Sequence, residues 1–195
     1  HSFHFSVIPL FLLMGFFAMR AGLGEDLFDA ASKWLGRLRG GLAISTTLGA
    51  AAFGAASGSS VGTATVFTKL ALPQMLDRGY DKSLASASIA IAGTLAVMIP
   101  PSALVVVYGI LTDSSIGALL IAGFIPGILF ALILCFAIWI RVWITPSLAP
   151  TDTRRFTLKE KVLSLRMAGP LVLIIVIIVS GLYLGVFTPT EAGGI

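Results

Sequence analysis

The stretch that decides the fold reads Gly54-Ala55-Ala56-Ser57-Gly58-Ser59-Ser60-Val61-Gly62 and lies within an apolar segment, residues 41–76, whose one charged residue is Lys69. As a single helix this segment would be roughly 54 Å long, whereas the hydrocarbon core of a bilayer is about 30 Å thick. Glycine and serine also weaken helix continuity at its centre. Two structures remain possible: one long tilted helix, or a re-entrant hairpin with the Gly/Ser stretch at its tip.

The composition places the chain in a membrane. Of its 195 residues, 57% are hydrophobic and 11% are charged, and the mean hydropathy is +1.00. Soluble domains have about 25% charged residues, and disordered chains combine low hydrophobicity with high charge. Outer-membrane barrels alternate apolar and polar residues, whereas the apolar runs here are continuous. The sequence therefore predicts an all-α polytopic integral membrane protein.

Further apolar runs predict the other membrane segments. Residues 3–19, 116–144 and 167–186 are each long enough to cross or nearly cross the hydrocarbon, and residues 145–166 form a polar loop between the last two. Residues 24–40 differ, because apolar and charged side chains fall on opposite faces of a helix. This segment is predicted to be an amphipathic helix at the membrane surface.

A second irregular stretch, Ile99-Pro100-Pro101-Ser102, interrupts the apolar run 83–111. Two consecutive prolines remove two amide donors and clash with the preceding turn, so the helix must break there. The carbonyls left without partners then need protein, water or an ion. The sequence thus predicts a second helix interruption at membrane depth.

The distribution of lysine and arginine favours the hairpin, because cytoplasmic loops carry an excess of both. In the hairpin structure the amphipathic helix, the turn at 77–82 and the loop at 145–166 share one side with every basic residue except Lys69. The opposite side then has no lysine or arginine. A single span would move Arg78 and Lys82 across. The net charge of +4 is therefore explained by the basic residues on one side of the membrane. The sequence predicts contact with membrane lipid and no nucleic-acid partner.

The two interruptions together predict a site for a monovalent cation. Transporters use unwound carbonyls to bind sodium and helix N-termini to face anionic solutes. Neutral oxygens without a carboxylate suit sodium better than a divalent ion. For each serine, close helix packing is the alternative role. The candidate ligands are Ser57, Gly58, Ser59 and Ser60 at the tip, with Thr94, Pro100 and Ser102 at the break.

Lys69 lies in the second arm of the predicted hairpin. Its long side chain is expected to snorkel to the cytoplasmic surface, about 13 Å along the helix from Arg78. Direct contact with an anionic substrate is the alternative.

An enzyme is not expected. Gly58-Ser59-Ser60-Val61-Gly62 matches the G-x-S-x-G nucleophile pattern, but that chemistry needs a general base. The two histidines, His1 and His4, lie at the edge of the chain. Phosphate loops, dinucleotide motifs and metal-ligand clusters are absent from the sequence, so no catalytic residue and no cofactor other than a coupling ion is predicted.

Several short motifs follow one another along the chain: Gly40-Gly41-Leu42-Ala43-Ile44-Ser45, Phe53-Gly54-Ala55-Ala56-Ser57-Gly58-Ser59-Ser60-Val61, Ala71-Leu72-Pro73-Gln74-Met75, Arg78-Gly79-Tyr80-Asp81, Ile99-Pro100-Pro101-Ser102, Ala122-Gly123-Phe124-Ile125-Pro126-Gly127 and Phe187-Thr188-Pro189-Thr190-Glu191-Ala192. In order and spacing they resemble the large membrane subunit of TRAP transporters (tripartite ATP-independent periplasmic transporters, DctM type). The resemblance covers essentially the whole chain.

The resemblance implies an elevator-type secondary transporter in the cytoplasmic (inner) membrane of a bacterium or archaeon. Such a transporter uses a sodium gradient to import an organic acid, which a periplasmic solute-binding protein of DctP type delivers. It works with a small four-helix membrane subunit of DctQ type. The alternative is another sodium-coupled carboxylate transporter of related hairpin fold that needs no binding protein.

The family fold has two inverted repeats, and the chain is expected to be an internal fragment that holds the first. Residues 1–40 would belong to the scaffold and residues 41–114 to the transport domain, while residues 115–195 would lead into the second repeat. The motif match assigns the tip serines and Pro100, Pro101 and Ser102 to the first sodium site. Ser60 and Thr63, together with Lys69, are the candidates for positions near the substrate.

Overall fold

The computed structural model describes residues 7–100, 102–151, 156–188 and 191, and over these residues it contains helices and no strands. The predicted all-α class is therefore confirmed. Two helices, Ile116–Ile144 and Leu158–Tyr183, are long and apolar enough to cross a membrane, and Lys82–Met98 with Ala103–Leu111 forms a third such segment that is bent. The helices are α1 (Val7–Arg20), α2 (Leu23–Leu35), α3 (Gly41–Ser57), α4 (Ser60–Asp77), α5 (Lys82–Met98), α6 (Ala103–Leu111), α7 (Ile116–Ile144) and α8 (Leu158–Tyr183), with a 3-10 turn at Pro146–Leu148.

Helices α3 and α4 form an antiparallel hairpin. At its open end the Leu42 N–H donates to the Tyr80 hydroxyl over 3.2 Å. Towards the tip, the rings of Phe53 and Phe67 pack with their centroids 6.1 Å apart. Both contacts join the chain before Gly58 to the chain after it, and the pair nearer to Gly58 in sequence lies nearer to the tip. The predicted hairpin is confirmed, and the single long helix is excluded.

The two residues between α3 and α4 explain why each helix ends there. Gly58 has a φ of +59°, the left-handed conformation that glycine adopts without strain, and its N–H donates to the Gly54 carbonyl over 2.8 Å. Ser59 then caps α4, because its hydroxyl accepts the Gly62 N–H over 3.1 Å. The Gly/Ser stretch is thus a helix stop followed by a helix start.

The proline break is also confirmed. Helix α5 ends at Met98 and α6 begins at Ala103, with a bend of 46° between them. Ser102 caps α6 by accepting the Val105 N–H over 3.5 Å. Pro101 lies outside the described residues.

Helix α2 is shorter than predicted, since it ends at Leu35 rather than at residue 40. Its apolar face packs against protein: Leu27 and Phe28 are buried, and the Phe28 ring lies 6.3 Å from that of Phe67 in the hairpin. Trp34 is 44% exposed. A location at the membrane surface stays a prediction.

Helix α8 begins more than two turns before the predicted residue 167. Thr157 and Glu160 form a capping box, in which the Thr157 N–H donates to the Glu160 carboxylate over 2.7 Å and the Glu160 N–H donates to the Thr157 hydroxyl. The sequence Thr-x-x-Glu is the signal for this start. The polar segment before α8 therefore ends at Thr157, and basic residues such as Lys161 lie on the helix.

Four chain segments meet at one end of the molecule. The Asp81 N–H donates to the Leu148 carbonyl over 2.9 Å, and the Trp34 ring nitrogen donates to the Lys161 carbonyl over 3.2 Å. We call this the basic end, because most of the lysine and arginine residues lie in the segments that meet there. They are Lys33, Arg37, Arg39, Arg78, Lys82, Arg141, Lys159 and Lys161, whereas Arg154 and Arg155 lie outside the described residues. Arg20, which the charge pattern places on the same side, instead ends α1, five residues after the contact of Gly15 with Ser57 at the hairpin tip.

Candidate functional site

The hairpin tip and the proline break meet in space. The Ala103 N–H, at the start of α6, donates to the Gly58 carbonyl at the tip over 3.4 Å. The structure thus brings together the two interruptions that the sequence separates by more than 40 residues. We call this contact region the junction.

A close approach of α3 and α5 holds the junction together. A β-carbon added at Gly54 would lie 2.5 Å from Cβ and 2.6 Å from Cα of Ala96, closer than atoms can pack. Glycine is therefore the residue that lets these two backbones touch one turn before the tip. Sequence reasoning noted Gly54 only within a small-residue pattern, because the pattern does not name the neighbouring helix.

Helices α1 and α7 press on the junction in the same way. A β-carbon at Gly15 in α1 would lie 2.6 Å from the Ser57 carbonyl oxygen, and one at Gly123 in α7 would lie 2.8 Å from the Met98 carbonyl oxygen. The carbonyl oxygens of Ser57 and Met98, at the ends of α3 and α5, therefore each have the backbone of a glycine close by on one side. Helix α7 remains continuous through Pro126 while it makes this contact.

Inside the hairpin, the hydroxyls of Ser57 and Thr63 lie 3.0 Å apart and share a hydrogen bond. Ser57 is 4% exposed and Thr63 is fully buried. Thr63, a candidate for proximity to the substrate, is thus placed in the interior of the hairpin beside an ion-site candidate.

Ser59 and Ser102 have a second role that sequence reasoning missed, because each caps a helix at the junction. The signal was available: a serine that directly precedes an apolar run and follows a glycine or proline is typical of an N-cap. Each hydroxyl accepts one backbone N–H, which leaves a lone pair and the hydroxyl hydrogen for another partner.

Three of the remaining candidates line a groove that begins beside the junction. They are Ser60, Lys69 and Thr94, and the groove lies between α4 and α5 with a volume of about 440 Å³. The Thr94 hydroxyl donates to the Ile91 carbonyl over 2.6 Å. Pro100 is buried at the break. The candidates therefore divide into a junction set, which is Ser57, Gly58, Ser59, Pro100 and Ser102, and a groove set, which is Ser60, Thr94 and Lys69.

Four helix ends converge at the junction: the C-termini of α3 and α5 and the N-termini of α4 and α6. Final carbonyls lack partners within their own helix and carry partial negative charge, while initial N–H groups carry partial positive charge. In the part of the chain that the structure describes, no group of three His, Cys, Asp or Glu side chains is placed to hold a metal ion. The oxygens at the junction are thus neutral backbone and hydroxyl oxygens.

The sequence matches the family described as "Tripartite ATP-independent periplasmic transporter, DctM component" over residues 1–195. A C4-dicarboxylate TRAP transporter large permease protein DctM of Pseudomonas aeruginosa is 41% identical over 190 residues, which are 96% of this chain and 43% of that protein. An ectoine TRAP transporter large permease protein, TeaC of Halomonas elongata, is 34% identical over 185 residues, 95% of this chain and 43% of that protein.

An isethionate TRAP transporter permease protein, DctMQ of Oleidesulfovibrio alaskensis, is 36% identical over 198 residues, 100% of this chain and 30% of that protein. The chain thus spans less than half the length of these relatives. The family consists of transport permeases and not enzymes, in agreement with the lack of a general base for the G-x-S-x-G match. The chain belongs to the DctM family and is a multi-pass membrane protein.

Proposed function

We propose that this chain is the first-repeat part of the large membrane subunit of a sodium-coupled TRAP transporter, which imports a carboxylate-bearing solute. The observation that supports the proposal is the junction itself, where the Ala103 N–H meets the Gly58 carbonyl. Two helices end there and two begin, which is the arrangement that transporters use at the membrane midplane for ions and anionic solutes.

Sodium is the coupling ion that this chemistry favours. Partly negative C-termini of α3 and α5 and the hydroxyls of Ser57, Ser59 and Ser102 offer neutral hard oxygens, and a carboxylate-free set suits a weakly bound monovalent ion that must be released. In this proposal the carbonyls near Gly58, Pro100 and Pro101 are further sodium ligands from this chain, and the second repeat supplies the remaining ligands.

The N-termini of α4 and α6 would face the acid group of the solute. The relatives' names differ in their solute, and we take a C4-dicarboxylate as the first to test because three DctM relatives are named for it. Delivery by a periplasmic binding protein and pairing with a small four-helix subunit follow from the proposed transporter type. A carboxylate transporter that works without a binding protein is the alternative.

We further propose that residues 41–114 move as the transport domain against residues 1–40 and 115–195, in the inner membrane and with the basic end on the cytoplasmic side. Positive charge in loops supports this orientation.

In a full-length transporter whose native cysteines are removed, Lys82→Cys is expected to react with an impermeant thiol reagent from the cytoplasmic side and Ser114→Cys from the outside. Labelling of position 82 from outside contradicts the orientation.

Uptake by the full-length transporter in proteoliposomes tests the function. With the binding protein, the small subunit and succinate outside, an inward sodium gradient is expected to drive accumulation, whereas an equal potassium gradient is not. Omission of the binding protein should abolish uptake. Equal uptake under both gradients would contradict sodium coupling, and uptake without the binding protein would favour the alternative.

A further inference from the structure

The groove between α4 and α5 begins beside the junction and runs towards the basic end. Ser60, the first residue of α4, lines one part of it, and Lys69 lines another part. The nine-residue separation corresponds to about 13 Å along the helix. The volume of about 440 Å³ lies within the range of sites for small molecules, roughly 300–1,000 Å³.

The polar groups of the groove suit an anion. Among the described residues, the Lys69 ammonium and the Thr68 hydroxyl have no hydrogen-bond or ion-pair partner. The residues that line the groove include no aspartate or glutamate. The Thr65 hydroxyl is already used, since it donates to the Val61 carbonyl over 2.8 Å. The free donors therefore face a space without a negative charge to pair with.

Small residues form the floor of the groove. A β-carbon added at Gly93 in α5 would lie 3.0 Å from the Ala64 Cβ and 3.2 Å from the Ser60 carbonyl oxygen. The backbones of α4 and α5 thus come close together at Gly93, one of the residues that line the groove.

We propose that the groove binds the carboxylate or sulfonate group of the solute as it leaves the junction for the basic end, with the Lys69 ammonium as its counter-ion and the Thr68 hydroxyl as a second donor. The inference rests on the proposed function, since it takes the junction as the starting point of the solute. In this proposal Lys69 pairs with the anionic group of the solute during release. A Lys69 side chain that only snorkelled to the membrane surface would need no such anion.

A cysteine at position 68 probes the electrostatic potential in the groove, and its labelling can be measured without a transport assay. In the full-length transporter free of other cysteines, Thr68→Cys is labelled with the anionic sulfonatoethyl and the cationic trimethylammonioethyl methanethiosulfonate. Loss of one charge at roughly 6 Å in a water-like medium changes each rate roughly threefold, so Lys69→Gln should lower the anionic-to-cationic rate ratio roughly tenfold. Lys82→Gln removes a charge at the basic end, outside the groove, and should leave the ratio unchanged. An unchanged ratio in K69Q, or an equal fall in K82Q, overturns the proposal.

Uptake separates this proposal from the function on which it rests. K69Q should lower the maximal rate of succinate uptake severalfold, K69R should retain it, and the sodium concentration for half-maximal uptake should stay the same in both. A normal maximal rate in K69Q, with sodium-driven uptake intact, overturns the release role and leaves the function standing. If the unmodified transporter shows no sodium dependence, the coupling proposal fails, and the labelling ratio still decides the groove.

Discussion

Replacing Gly54 with alanine is expected to destabilise the full-length protein by about 2–3 kcal/mol, at the upper end of what overpacking a core costs. The new β-carbon would overlap both Cβ and Cα of Ala96, and a backbone atom cannot move aside as the end of a side chain can. Helices α3 and α5 would have to separate one turn before the junction. We expect a lower thermal unfolding midpoint and weaker sodium-dependent uptake.

Gly169→Ala is the matched control, because Gly169 lies in α8 with nothing within 4 Å of an added β-carbon. Alanine there should be neutral or slightly stabilising. Adding Ala96→Gly to the Gly54 variant should restore only part of the stability, since the contact with Ala96 Cα remains. A Gly54→Ala protein as stable as the Gly169→Ala protein would show that α3 and α5 do not touch here.

Replacing Ser102 with alanine is expected to raise the sodium concentration for half-maximal uptake by about ten- to a hundredfold. Loss of a contact to a charged group costs roughly 1.5–3 kcal/mol, and each 1.4 kcal/mol is a factor of about ten in affinity. The same change removes the cap of α6 and should cost about 1 kcal/mol of stability. Sodium titration of uptake in proteoliposomes measures the first effect, and thermal unfolding measures the second.

Ser115→Ala separates the two roles. Ser115 caps α7 by accepting the Ala118 N–H over 3.4 Å and is exposed, in the turn that follows α6. It should therefore cost a similar stability and leave the sodium dependence unchanged. If Ser102→Ala loses stability and keeps the normal sodium dependence, its hydroxyl serves the cap and not the ion.

The elements that the sequence predicted well are those set by local chemistry or by length. The prolines at 100 and 101 remove amide donors wherever the chain goes, so the break followed from the residues alone. The hairpin followed from the length of residues 41–76 and from the charge on either side. Helix α7 matched its predicted range because Ser115 and Thr145 bound a continuous apolar run.

The boundaries that failed depended on weaker signals. The polarity of residues 158–166 predicts a loop, whereas the capping box of Thr157 and Glu160 begins a helix there. Helix α2 was extended to residue 40 because apolar side chains recur at helical spacing, but its chain turns after Leu35. In both places the hydrogen bonds at the helix end set the boundary of the helix, and the hydropathy pattern predicted that boundary wrongly.

The division of the candidate residues required the tertiary structure. Composition cannot tell whether Thr63 faces Ser57 inside the hairpin or the groove outside it, because Thr63 lies on the same helix as Ser60, which lines the groove. Nor does the sequence show that Gly54 meets Ala96, since that contact joins helices distant in the chain. Sequence reasoning thus found the residue types of the site, and packing assigned each one its surroundings.

The central claim is that the junction forms part of a sodium site. The most direct test is to measure the thermal stability of the purified full-length transporter as sodium chloride or potassium chloride is added at constant ionic strength. An ion that binds only the folded protein stabilises it by about 2.7 kcal/mol at a hundredfold excess over its Kd. The account predicts that the unfolding midpoint rises with sodium and not with potassium, and that Ser102→Ala shifts the rise to higher sodium. Identical midpoints in the two salts at every concentration would contradict it.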